Sequence, residues 1–312
     1  MAEPILSVRD LVVRFSLRGQ TLTAIRGASL DLYRGESLAI VGESGSGKSV
    51  LTKSFMGMLD GNGHIDGGTI RFDGENIAAY TTEKEWLKIR GKRIAMVFQD
   101  PMTALSPLMS VGKQIAETLT LHQGLRGRAA KQRAIEILRD VGIVNPEKRY
   151  KQYPHEFSGG MRQRVVIAIA IACNPEILIC DEPTTALDVT IQAQILHLLR
   201  DLQKQYGLTL IYITHDLGVV ANVADRIAVM YAGDIVEIGT SDEIFFDARH
   251  PYTWALLSSL PQLGEHGKDL FAIAGTPPNL FRPVRGDAFA PRNPYALKID
   301  FEYRPPYFEI TP

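Results

Sequence analysis

The sequence predicts an α/β fold in which a mainly parallel sheet is covered by helices on both faces. Three observations carry this. Short apolar runs alternate with stretches of helical period through most of the 312 residues. One such run, Leu38-Ala39-Ile40-Val41, passes through a glycine-rich turn straight into a helix-period stretch. After about residue 264 the periodicity is lost, and eight of the 17 prolines fall after residue 270, which predicts an appended, loop-rich tail.

Taken in order, residues 5–8, 11–15 and 22–32 read as strands broken by Gly19-Gln20 and Arg34-Gly35. Phe15 closes one of these runs, where an aromatic could either stack on a purine or fill a half-buried strand. Residues 61–64 and 66–68 read as loops, and residues 69–72 followed by Asp73-Gly74 as a hairpin. A strand over 94–98 leads into Gln99-Asp100-Pro101. Helices follow over 111–121 and 130–141, the second placing Ile135, Leu138 and Val141 on one face. A strand over 177–180, a helix over 191–206 and a strand over 209–214 come next. A pair of runs, 226–231 and 235–238, is hinged by Ala232-Gly233-Asp234. The sheet should carry its glycine-rich turn at the carboxyl end of a strand.

Composition excludes several classes. A formal net charge of −1 gives no basic field for nucleic acid. The longest apolar run, residues 165–173, falls short of the ~18 residues that cross a bilayer, and the N-terminus lacks a secretory pattern, so a cytoplasmic location is expected. Cys173 and Cys180 lie in apolar segments and read as packing residues in a reducing compartment.

The chemistry gathers in three places. Gly42-Glu43-Ser44-Gly45-Ser46-Gly47-Lys48-Ser49 fits G-x-x-x-x-G-K-[ST]. The glycines let backbone N–H groups turn inward, a helix N-terminus adds positive potential, Lys48 supplies a point charge for outer phosphates and Ser49 a magnesium ligand. A glycine-rich turn that merely contains a lysine is the plainer alternative, and the strand before it and helix after it weigh against that. Residues 42–50, Val50 included, are therefore the expected nucleotide contacts. The strand over 177–180 delivers Asp181, suited to hold magnesium or its bound water, and Glu182, the candidate general base for a water aligned on a γ-phosphorus. Phe157-Ser158-Gly159-Gly160-Met161-Arg162-Gln163 opens another helix and forms half a phosphate site, with no lysine. Either Ser158 is an ordinary N-cap, or this surface closes over a nucleotide held by a different chain.

In order and spacing these residues resemble the ATP-binding cassette (ABC) ATPases. FSGGM approximates the family signature through Ser158, Gly159 and Gly160, with Phe157 and Met161 where leucine and glutamine are commonest. The resemblance implies a P-loop NTPase (RecA-like) core with an N-terminal antiparallel β subdomain and an inserted helical subdomain at about 100–172. The cassette would occupy 1–263 and a C-terminal extension 264–312. It further implies that Gln99 reaches magnesium and the attacking water, that Asp188 belongs to the D-loop, that His215 contacts the γ-phosphate, and that Phe15 stacks on adenine. ATP and Mg2+ are the implied cofactors, and Lys48, Glu182 and His215 the implied catalytic residues.

A narrower resemblance, to the ATPase subunits of bacterial oligopeptide and dipeptide importers, rests on FQDPMTALSP, DEPTTALDVTIQAQI, ITHDLGVVA, HPYTWALLSSLP and GTPPNL. It implies a peripheral subunit at the cytoplasmic face of the membrane. A second ATPase of different sequence would pair with it head to tail, and two membrane permeases and an external peptide-binding protein would complete the importer. Many relatives carry cluster-binding cysteines in the tail. Here Asp287, Asn293 and Asp300 stand in their places, so no iron–sulfur cluster is expected. Asp287 and Asp300 remain open to a hard cation or to loop hydrogen bonds. The rivals are an ABC ATPase for another substrate and a DNA-maintenance ATPase. The latter would insert a heptad coiled coil or zinc cysteines between the phosphate loop and the signature, and residues 50–157 contain neither.

Overall fold

A computed structural model describes residues 3–185, 187–260 and 273–310. Its strands, in chain order, are β1 (Pro4–Leu17), β2 (Gln20–Tyr33), β3 (Ser37–Val41), β4 (Gly63–Phe72), β5 (Glu75–Asn76), β6 (Ile94–Val97), β7 (Ile177–Asp181), β8 (Thr209–Thr214), β9 (Arg226–Tyr231) and β10 (Asp234–Thr240). The chain forms two compact units. A strand-rich unit comprises Pro4–Leu32, Ala39–Ala79 and the chain from Thr214 onward, and a helix-rich unit comprises chiefly Tyr33–Leu38 and Tyr80–Ile213.

In the strand-rich unit one sheet has the order β2-β1-β4-β5. The runs expected as separate strands at 5–8 and 11–15 are one strand. The residues between them make a bulge rather than a turn, with a register shift between Arg9 and Val12 and Asp10 at φ 47°. Gly68, at φ +83°, faces that bulge, where a Cβ would come within 2.5 Å of the Arg9 carbonyl oxygen. Gly63 to Gly68, expected largely as loop, therefore belong to β4, and pairing with β1 rather than local composition decides it. Phe15 lies opposite Gly63 and is 7% exposed; a Cβ on Gly63 would sit 2.4 Å from its ring. The same unit sets β3, β9 and β10 side by side, β10 antiparallel to β9 across the turn at Ala232-Gly233. Every residue of β3 is buried, as a doubly covered strand requires.

In the helix-rich unit β6, β7 and β8 are parallel, pairing Val97 with Cys180 and Asp181 with Ile213. Its longer helices are Val111–Gln123, Gly127–Asp140, Gly159–Ile171 and Val189–Tyr206. The helix Gly159–Ile171 packs against β6 and against the other three. It is consequently buried nearly all round, with Val165, Val166, Ile167, Ala168, Ala170 and Ile171 all in the core. Gly112 lets the helix Val111–Gln123 approach Tyr150, whose ring would lie 2.1 Å from an added Cβ.

Both cysteines lie in this core. Cys180 is inaccessible and Cys173 is 8% exposed. Burial pushes the Cys173 thiol up to about 11 and the Cys180 thiol higher still. Both thiols therefore stay protonated near neutrality. The native protein is expected to resist iodoacetamide at about pH 8 and to take up two carboxamidomethyl groups once denatured, as intact mass would show; rapid native labelling of Cys180 would contradict its placement.

The tail, residues 273–310, lies in the strand-rich unit, and the expected boundary at 263/264 falls outside the described residues. Turns organise it. Asp287 Oδ1 accepts from Phe289 N–H (3.0 Å), Asn293 Oδ1 from Tyr295 N–H (3.0 Å) and Asp300 Oδ2 from Leu297 N–H (2.7 Å). Farther on, Arg304 pairs with Asp234 at 2.6 Å, and the Tyr307 hydroxyl lies 2.8 Å from the same carboxylate. Burial still pushes the Asp234 carboxyl up against the opposing pull of Arg304.

Candidate nucleotide site

In the strand-rich unit, residues 42–47 turn between the end of β3 and the helix Lys48–Ser54. Sterics demand glycine at two of these positions. At Gly42 (φ +151°) a Cβ would lie 2.1 Å from the Met230 carbonyl oxygen, and at Gly47 (φ +107°) 2.9 Å from that of Ala24. Gly45 has open space but φ +80°, so its backbone alone favours glycine. Lys48, 6% exposed, donates to the carbonyls of Gly42 (2.7 Å) and Glu43 (2.9 Å), so its ammonium folds back over the turn. Ser46 Oγ is buried without a hydrogen-bond partner among the described residues, a polar atom left over for a ligand. Ser44 and Ser49 fall within the same turn-to-helix segment, and Val50 in the first turn of the helix. His215 is exposed just past β8, ahead of Asp216, whose Oδ1 accepts from Gly218 N–H at 2.8 Å and starts a short helix.

In the helix-rich unit, Asp181 is the half-buried last residue of β7. Glu182 follows at φ 46°, its N–H donating to the Ile213 carbonyl of β8 at 2.9 Å. Glu182 Oε2 accepts two hydrogen bonds, from Gln99 Nε2 (2.8 Å) and from the Thr185 hydroxyl (2.9 Å). Gln99, 83 residues away in sequence, is thus brought to the carboxylate, whose orientation the two donors fix. Ser158 caps the helix Gly159–Ile171 by accepting from Met161 N–H at 3.4 Å. Gly160 packs against the helix Val189–Tyr206, since a Cβ there would lie 2.7 Å from Ile191 Cγ2, and Gly159 faces Leu187. Asp188 is the exposed N-cap residue of that same helix.

The structure therefore brings Gln99 to Glu182, with Asp181 next to Glu182 in the chain, and Gly159 and Gly160 to the segment before and after Asp188. It keeps the Phe15 ring buried against Gly63. Sequence reasoning missed Thr185 as a partner of Glu182, although a hydroxyl three residues on was a usable signal. It also missed Tyr252 and Arg292, which hold Glu43. Tyr252 Oη accepts from Glu43 N–H at 2.8 Å, and Arg292 pairs with the Glu43 carboxylate.

Residues 25–185 match the family model described as ABC transporter, a span holding the glycine-rich turn, Gln99, Ser158 to Gly160, Asp181 and Glu182. The chain belongs to the ABC transporter family. A second model, for the C-terminal region of oligopeptide/dipeptide transporters, matches residues 236–299. The chain is 59% identical over 309 residues to the oligopeptide transport ATP-binding protein OppD of Bacillus subtilis, covering 98% of this chain and 86% of that protein. It is 58% identical over 307 residues to the oligopeptide transport ATP-binding protein AmiE of Streptococcus pneumoniae, with the same coverage. Among solved structures it resembles the dimeric post-hydrolysis state of the ATP-binding cassette MJ0796 bound to ADP and Pi. That match has TM-score 0.67 and 27% identity and covers 76% of this chain and 98% of the other. The ABC cassette accounts for both the antiparallel sheet and the parallel strands, and makes this chain a nucleotide-binding ATPase.

Proposed function

We propose that this ABC ATPase binds and hydrolyses ATP to power uptake of oligopeptides or dipeptides through separate membrane permeases. Near-full-length identity to oligopeptide transport ATP-binding proteins carries the reading. Among the described residues no helix is long and apolar enough to cross a membrane. We place the protein at the cytoplasmic face, in a head-to-tail pair with a second, different ATPase, on two permeases served by an external binding protein. The cassette spans 1–263 in this reading and the extension 264–312.

The donor set suits a nucleotide triphosphate with Mg2+. The turn at 42–47 has glycine where inward backbone N–H groups need it, and Lys48 and the Ser46 hydroxyl, which has no partner among the described residues, supply polar contacts. Ser49, Gln99 and Asp181 would hold the metal, whose charge would neutralise the phosphates. Glu182 would take a proton from the attacking water at its carboxylate, while Gln99 and Thr185 keep that group oriented. His215 would steady the γ-phosphate. Ser158, Gly159, Gly160 and Asp188 would complete the partner's nucleotide site. The burial of Phe15 argues for a packing role in place of adenine stacking. An iron–sulfur cluster does not fit the tail, where Asp287, Asn293 and Asp300 offer oxygens already accepting loop N–H groups instead of thiolates.

The test is co-expression with candidate permeases, purification from membranes and uptake of a radiolabelled tetrapeptide into proteoliposomes containing ATP. Expected are co-purifying membrane chains and ATP-dependent uptake. Uptake of another solute class, with peptides ignored, would refute the substrate assignment.

A further inference from the structure

The phosphate turn carries a carboxylate, Glu43, in a place built to attract anions. Left unpaired, that charge would oppose a polyphosphate. Arg292, in the short 3-10 helix Ala290–Arg292, directs its two terminal nitrogens at the two Glu43 oxygens, at 2.7 and 3.0 Å. Its side chain is 4% exposed and anchored from behind: Nε donates to the Ala274 carbonyl (2.9 Å) and Nη2 to that of Ile273 (3.3 Å). A planar guanidinium fixed in this way presents a two-point fork that a lysine cannot reproduce. The surroundings are equally ordered. The rings of Tyr231, Tyr252 and Phe289 lie 4.5 to 5.3 Å apart, and the Tyr252 hydroxyl accepts the Glu43 N–H. With Lys48 on its carbonyl, Glu43 is held at its amide, its carbonyl and its side chain.

We propose that Arg292, from the C-terminal extension, is a positioning residue for nucleotide binding that neutralises Glu43 and fixes the first bend of the phosphate turn. This rests on the ATPase reading above. It gives the extension a task at the nucleotide site that requires no bound cluster.

The test is a double-mutant cycle on the full-length chain, read by titration with a fluorescent ATP analogue and by steady-state ATPase kinetics well below the unfolding midpoint. Arg292→Gln is expected to weaken analogue binding about tenfold and to raise KM more than it lowers kcat. Adding Glu43→Gln removes the uncompensated charge and should restore binding to within about threefold of wild type. A merely structural role would lower the midpoint in both variants without that rescue. Unchanged affinity in Arg292→Gln, or a loss that Glu43→Gln leaves in place, overturns the inference. Should Arg292→Gln fail to fold, the cycle is read with Arg292→Lys: a smaller loss, again relieved by Glu43→Gln, supports the inference, and no loss overturns it. A wild-type chain that binds no analogue would instead overturn the ATPase reading, and the inference with it.

Discussion

Replacing Glu182 by glutamine is expected to cut phosphate release by about 10²- to 10⁴-fold while nucleotide affinity stays within about threefold of wild type. The substitution is a clean probe because the amide keeps the size of the side chain, and its oxygen can still accept from Gln99 and the Thr185 hydroxyl. What it loses is the ability to take a proton. Single-turnover release of labelled phosphate, with nucleotide binding measured in parallel, separates chemistry from affinity. A rate within a few-fold of wild type would place the base elsewhere.

The second large effect is expected at Lys48. Lys48→Ala removes a charged donor from the phosphate turn and should weaken nucleotide binding about 10- to 100-fold, the worth of one or two charge-assisted hydrogen bonds. The structure adds a consequence that the motif alone does not carry. The ammonium also ties the Gly42 and Glu43 carbonyls together, so its loss leaves two acceptors without that partner even before nucleotide arrives. A destabilisation of about 1–3 kcal/mol is expected from this, visible as a lower unfolding midpoint in the absence of nucleotide. Full affinity in this variant would remove Lys48 from the site.

The segments legible in the sequence are those whose information is local. The path from β3 through the turn into the helix Lys48–Ser54 was plain because each step announces itself within a few residues. The strand ending at Asp181-Glu182 and the helices Val111–Gln123 and Val189–Tyr206 were equally readable. What escaped depends on partners far along the chain. Gly63 and Gly68 looked like loop residues, yet they are glycines because β1 presses its Phe15 ring and its bulge against them. The enclosure of the helix Gly159–Ile171 likewise comes from elements distant in sequence, β6 and three longer helices among them. The sequence marks Gly159 and Gly160 for anion binding, and the structure adds that Gly160 also makes room for Ile191. Tyr252 and Arg292 lie 209 and 249 residues from Glu43, and no spacing rule reaches so far.

Glu182 sits at φ 46°, where a residue with a Cβ is held against its preference at a cost of about 1–2 kcal/mol. Glycine there would relax the backbone and, with Glu182 as the proposed base, leave a sturdier protein that does not turn over. Stability and turnover thus pull in opposite directions at this one position, so a population of variants screened only for heat resistance would drift toward losing the acid.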